Sequence, residues 1–377
     1  MPDASAPPAA QRRRLGRQPA LDGVRALAIG LVVLGHIDDV LRPGAGAFPG
    51  GFLGVDVFFV LSGFLITRLL LEEGDLTGRL SLARFYGRRA TRLLPALALF
   101  LVGHIVWVVT TDFPITRGDE AKSLFFIVLY LGNWSHKLGS GLLFGLGHLW
   151  SLSVEEQFYL VWPCVLLVVR RRPQLLRAVI ALGIVTAIVV RIALWSGEGS
   201  WIQIFSRTDA RMDALLIGAA LALAHASGAL ARVPIAVRRG VAVAGLAWIV
   251  GSALVVEPSS SFLFHGGFTL VALAAAGLIA GIVDDPWWLS GLLSLRGPRL
   301  IGRVSYGLYL WHGLVLVWVQ MEMPGSSDAV VLVVAAVLTA LVVGASWLLV
   351  ERPILDWGHR RFARPGTRTR PLVAPAA

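Results

Sequence analysis

The chain of 377 residues has a single cysteine, Cys164. That excludes an internal disulfide and any thiolate metal cluster. Charge is also scarce: 15% of residues are Asp, Glu, Lys or Arg, against 56% hydrophobic and a mean hydropathy of +0.72. Soluble domains carry about a quarter charged residues, so this composition excludes that class and indicates a polytopic membrane protein. Lysine is nearly missing, since Lys122 and Lys137 are the only two among 34 basic residues. An arginine bias of this kind reflects a GC-rich genome rather than a binding function. No segment is long enough to fold alone as a soluble domain, and no period of 20–50 residues recurs, which excludes a solenoid. No small-residue cleavage site follows the leader QRRRLGR (11–17), so the leader and the first apolar span read as an uncleaved anchor.

Long apolar runs, by contrast, are abundant. Spans of membrane length lie near 22–41, 52–71, 93–111, 148–169, 176–195, 212–230, 236–256, 263–283, 301–320 and 329–350. An eleventh, SLFFIVLYLGNW (123–134), is too short to cross. With ten spans, 26 of the 34 basic residues fall on one side, the cytoplasmic one by the positive-inside rule. The prediction is therefore an all-α integral membrane protein of about ten transmembrane helices. Residues 123–134 form a re-entrant or interfacial segment, and both termini are cytoplasmic. Three regions follow: a disordered leader over 1–20, one membrane domain over 21–353 and an Arg/Pro-rich tail over 354–377. The net charge of +11 is spread in short inter-span clusters, which is topology and membrane-lipid attraction, not nucleic-acid binding.

Within the spans a few polar residues need reasons. Arg25 and His36 interrupt LDGVRALAIGLVVLGHIDDV (21–40) eleven positions apart. Eleven steps of 100° return to one face, so the two share a stripe roughly 16 Å long that must look inward, away from lipid. The fourth span opens GHLWSLSVEEQFYLVWP (147–163), where His148 and Glu155 share a face. Glu155 lies roughly 10 Å and His36 about 8 Å below the outer ends of their spans. Equal depth predicts that they touch, with the carboxylate fixing the imidazole tautomer and raising its basicity. Glu156 beside Glu155 needs a partner of its own. Asp56 and Ser62 stand on the second span; Ser305, Tyr306, Tyr309 and His312 stand on the ninth. RFYGRRATRLLP (84–95) places Arg84, Arg88, Arg89 and Arg92 in one loop, which serves topology or clamps phosphate bidentately. His104 and His225 read as structural histidines, and Asp213 and His265 as interfacial. No metal site is indicated.

The blocks LDGVRALAIGLVVLGH, GVDVFFVLSGFLIT, FYGRRATRLLP, GHLWSLSVEEQFYLVWP, RTDARMDALLIG, GRVSYGLYLWH and ERP, in that order, resemble the acyltransferase-3 family of bacterial membrane O-acyltransferases. The resemblance covers nearly the entire chain. It implies a multi-pass protein of the bacterial plasma membrane. Its reaction would move an acyl group, often acetyl, from cytoplasmic acyl-CoA to a hydroxyl. The acceptor would be a glycan, a lipid-linked sugar or a secreted small molecule such as a macrolide. It implies the stand-alone form, without the SGNH-type domain that some members append. No permanent cofactor is implied; acetyl-CoA is the donor substrate. His36, Arg25 and Glu155 carry over as the catalytic set, and Arg88, Arg89 and Arg92 as the acyl-CoA arginines. Asp56, Ser62, His148, Glu156, Tyr309 and His312 support the pocket. Direct transfer with His36 as general base is the expected mechanism. The rivals are a proton-coupled transporter, which would also bury Arg, His and Glu, and a lipid-binding scaffold.

Overall fold

The computed structural model describes residues 16, 18–111, 117–135, 146–197 and 201–362. The expected disordered leader through residue 15 and the tail from residue 363 lie outside the described residues. Among the described residues there is no strand. The helices in chain order are α1 (Pro19–Leu41), α2 (Gly54–Thr77), α3 (Leu82–Thr110), α4 (Arg117–Val128), α5 (Trp150–Val169), α6 (Pro173–Leu194), α7 (Trp201–Phe205), α8 (Thr208–Ala226), α9 (Ala229–Arg232), α10 (Ile235–Val255), α11 (Phe268–Ile282), α12 (Trp288–Leu293), α13 (Arg296–Glu322), α14 (Asp328–Ser346) and α15 (Arg352–Arg361).

Nine helical segments of the described residues are long and apolar enough to cross a membrane. The expected span at 212–230 is α8, 19 residues that begin earlier and carry Asp209, Arg211 and Asp213 in their first two turns. Those charges keep it out of the apolar set, yet Ala214, Leu215, Ala219 and Ala222 are buried in the middle of the bundle. The short segment at 123–134 is the end of α4 plus a 3-10 turn over Gly132–Trp134, as its length required. The last span runs on without a break: α14 passes through a π turn (Trp347–Glu351) into α15, one segment over Asp328–Arg361. Helix therefore extends to Arg361, inside the region read as tail. Its end packs on α3, where Arg88 Nη1 donates to the Phe362 carbonyl at 3.2 Å.

Small residues set the helix spacing, as they do where lipid supplies no hydrophobic drive to association. A Cβ on Gly63 of α2 would lie 1.9 Å from the Leu215 carbonyl oxygen of α8. A Cβ on Gly302 of α13 would lie 1.8 Å from that of Asp22 on α1. At both points backbone touches backbone. The second contact holds α1 along α13, and this pairing positions the site.

Candidate active site

His36 near the end of α1 meets His312 of α13. His36 Nδ1 lies 2.7 Å from His312 Nε2, and the rings stack at 4.9 Å. His312 Nδ1 lies 2.9 Å from the Leu308 carbonyl oxygen. A carbonyl only accepts, so His312 carries its hydrogen on Nδ1 and offers Nε2 as an acceptor. His36 must then donate from Nδ1. Its own Nε2 is left with the lone pair. His148, in the 3-10 turn that leads into α5, completes a cluster of three imidazoles at 6.1 Å from His36 and 5.5 Å from His312, ring centre to ring centre. Among the described residues no three His, Cys, Asp or Glu side chains are arranged to hold a metal ion.

A cavity of about 210 Å³ opens beside this cluster. Its polar lining comes from Arg25, Ser62, Arg89, Arg92, Ser151, Glu155, Tyr159, Ser305, Tyr306 and Tyr309, and its apolar wall mainly from α2. Arg25 stands at one end of the α1 stripe and His36 at the other, but none of the three histidines lines the cavity. Tyr309 stands between. Its ring lies 5.2 Å from that of His148 and 6.0 Å from that of His312. Its hydroxyl donates to the His148 carbonyl at 2.5 Å and lies 2.6 Å from Ser151 Oγ.

The carboxylates take different partners from the expected ones. Glu155 accepts from Ser62 Oγ at 2.6 Å, so it faces the cavity and α2, and no hydrogen bond joins it to His36 among the described residues. His312 fills the orienting place instead. Glu156 takes Arg89 in a fork, Nη2 to Oε1 at 2.6 Å and Nε to Oε1 at 3.0 Å. The Arg89 guanidinium also stacks 3.1 Å over the Tyr159 ring. Arg88 and Arg84 share Glu73, at 3.1 and 3.0 Å, away from the cavity lining. Arg25 donates to Asp22 at 2.7 Å. Arg92 is the exception: it lines the cavity, is exposed, and makes no hydrogen bond or ion pair among the described residues.

Asp56 is not on the cavity. Both its oxygens accept from Arg211 Nη2 at 2.8 Å, and Arg211 stacks 3.5 Å over Phe268. Beside this pair Arg191 meets Asp213 at 3.1 Å, and Thr269 joins both. Asp213 is thus fully buried rather than interfacial, because Arg191 from α6 neutralises it. Asp56 stands in the block GVDVFFVLSGFLIT, and Arg211 and Asp213 in RTDARMDALLIG. Their pairing was not visible there, since it spans α2, α6, α8 and α11. His104 and His225 face Glu120 and Asp284 at 2.9 and 2.7 Å, and His265 bonds its own helix.

A family model described as an acyltransferase domain matches residues 18–351. The chain belongs to the acyltransferase-3 family. In this acyltransferase-3 chain the matched stretch holds every residue of the cluster and the cavity. It is 36% identical over 365 residues to YrhL of Bacillus subtilis, covering 92% of this chain and 56% of that protein. It is 35% identical over 369 residues to the peptidoglycan O-acetyltransferase OatA of Listeria monocytogenes, covering 91% and 57%. It is 32% identical over 367 residues to the O-acetyltransferase OatA of Staphylococcus aureus, covering 92% and 58%. The chain therefore spans little more than half the length of these relatives. No solved structure matches it. With its membrane-capable helices, this family member is a multi-pass bacterial membrane protein.

Proposed function

We propose that the chain transfers an acetyl group from acyl-CoA to a hydroxyl of a cell-wall glycan, with His36 as the general base. The observation that carries this is the hydrogen-bond chain from the Leu308 carbonyl through His312 to His36, which leaves the His36 Nε2 lone pair free. The relatives' names supply the acceptor class, peptidoglycan. The donor assignment is supported by Arg92, a guanidinium without a partner at a cavity that also holds Arg25 and Arg89. A phosphate would satisfy its fork in two hydrogen bonds.

In this reading the CoA phosphates sit on the Arg92 side, at the cytoplasmic face. The pantetheine arm runs along the α2 wall, and the thioester reaches past Tyr309 to His36. Nε2 takes the proton of the acceptor hydroxyl as its oxygen attacks the carbonyl carbon. The imidazolium so formed is held by the His312 acceptor, and its proton passes to the thiolate when the C–S bond breaks. General base catalysis of this kind contributes about 10²–10⁴-fold. Glu155 accepts from Ser62 and stays out of the proton transfer.

The test uses membranes carrying the wild type or His36→Ala, given radiolabelled acetyl-CoA, with label followed into glycan, lipid and small-molecule fractions. Label in glycan with the wild type alone is expected. Equal label in both removes His36 from the chemistry. No label with acetyl-CoA or longer acyl-CoAs sinks the enzyme reading and puts the carrier ahead.

A further inference from the structure

We infer that Tyr309 sets the choice between acceptor and water, acting as a hydrogen-bonded partition between the donor cavity and the histidine cluster. The inference rests on the acyl transfer proposed above and concerns a step that reaction leaves open. Tyr309 and Ser151 line the cavity, while His36, His148 and His312 do not. The Tyr309 ring packs on two of those three imidazoles. Among the described residues it is the one aromatic ring that lines the cavity and also packs against the cluster's rings. A thioester that fills the cavity therefore does not meet His36 until this ring turns aside.

Two hydrogen bonds hold the partition shut, from Tyr309 to the His148 carbonyl and between Tyr309 and Ser151. With Tyr309 donating to the carbonyl, the Ser151 hydrogen is the one that serves the second bond. Both hydroxyl protons are then used within the wall, and none is offered to a carbonyl in the cavity. The chemistry gives such a wall a purpose. If water reached the thioester beside His36, its oxygen would bond to the carbonyl carbon and the C–S bond would break. The proton would pass through His36 to the thiolate, leaving acetate and free CoA. The same base that activates an acceptor would then waste the donor. A wall that opens only when the acceptor occupies the histidine side separates the two outcomes. Tyr309 is a positioning residue here, since it acts on access and takes no part in bond making.

The experiment compares wild type, Tyr309→Phe and Ser151→Ala in two ways. The first is the rate at which diethyl pyrocarbonate modifies His148, mapped by peptide mass spectrometry, with exposed His265 as the internal control. The second is the ratio of acetyl-CoA hydrolysis without acceptor to transfer with it. Local opening controls the first rate when reclosing is fast. Each lost hydrogen bond shifts it about fivefold, so Ser151→Ala should raise His148 modification about fivefold and Tyr309→Phe roughly five- to 25-fold, with His265 unchanged. The hydrolysis ratio should rise in the same order. Unchanged His148 reactivity in Tyr309→Phe overturns the partition, even where transfer stays dependent on His36. Raised reactivity with an unchanged ratio overturns the selectivity role. A wild type that shows the reactivity pattern but transfers no acetyl refutes the proposed reaction and leaves the partition standing.

Discussion

His312 is the residue on which the proposed base depends most, and its removal has a size that can be worked out. In His312→Ala the Nδ1–H of His36 loses its acceptor 2.7 Å away. A neutral hydrogen bond contributes about 1 kcal/mol, so the tautomer with its lone pair on Nε2 loses about fivefold in population against the other. The second loss comes in the transition state. As His36 becomes an imidazolium, its bond to His312 turns charge-assisted and gains about 1–1.5 kcal/mol more, a further five- to tenfold in rate. Together kcat should fall about 25- to 50-fold, short of the 10²–10⁴-fold expected for His36→Ala. His312→Gln offers an amide oxygen at similar reach and should recover most of the loss. The assay is acetyl transfer by purified protein in detergent, with donor saturating and thermal unfolding followed in parallel. A His312→Ala variant as slow as His36→Ala would show that His312 does more than orient. Wild-type activity in His312→Ala would refute the relay.

Arg92→Ala should raise the donor KM about 10- to 100-fold with kcat little changed, whereas Arg88→Ala should leave that KM within about threefold, because Glu73 and the Phe362 carbonyl already engage Arg88. Initial rates against acetyl-CoA concentration decide it, and equal effects of the two substitutions would remove Arg92 from the donor site. Arg211→Met leaves Asp56 buried without its cation and should cost about 3–5 kcal/mol of stability, while the Asp56→Leu, Arg211→Met double variant should lose much less; denaturation in detergent reads both. The Arg239 fork holds the Asp285 carboxyl below the usual carboxylate range. The lowered value means that this stabilisation is present at neutral pH and fades as pH falls from about 4 through the lowered pKa. Asp285→Asn should therefore melt below the wild type at pH 7 and alongside it in strong acid, as thermal scans across pH will show.

Most of the helix pattern was legible because hydropathy and arginine placement act locally along the chain. Each apolar run became a helix, and the segment at 123–134 was too short to be anything but an accessory. The inward stripe of Arg25 and His36 followed from helix geometry alone. The partner of His36 did not. Matching depths suggested Glu155, but depth says nothing about which helices are neighbours, and α1 lies along α13 rather than α5. The carboxylate went instead to Ser62 of α2, and the orienting role to His312. Asp56 and Asp213 were misplaced for the same reason, since the arginines that neutralise them come from α8 and α6. The arginine cluster was legible as a cluster, but only the fold separates Arg92 from its engaged neighbours.

The pairing of α1 with α13 has a mechanical meaning. The two helices are pinned twice, by backbone at Gly302 against Asp22 and by imidazoles at His36 against His312. The pins stand fourteen residues apart on α1, roughly 20 Å. One fastening would allow the rods to swivel; two fix both angle and register. A slip of a single residue, about 1.5 Å, would part the imidazoles. The frame around the two imidazoles is therefore stiff, and the loops joining its helices can lengthen or change without disturbing it. A scaffold fastened in this way leaves the rim free to vary while the imidazole pair stays in register.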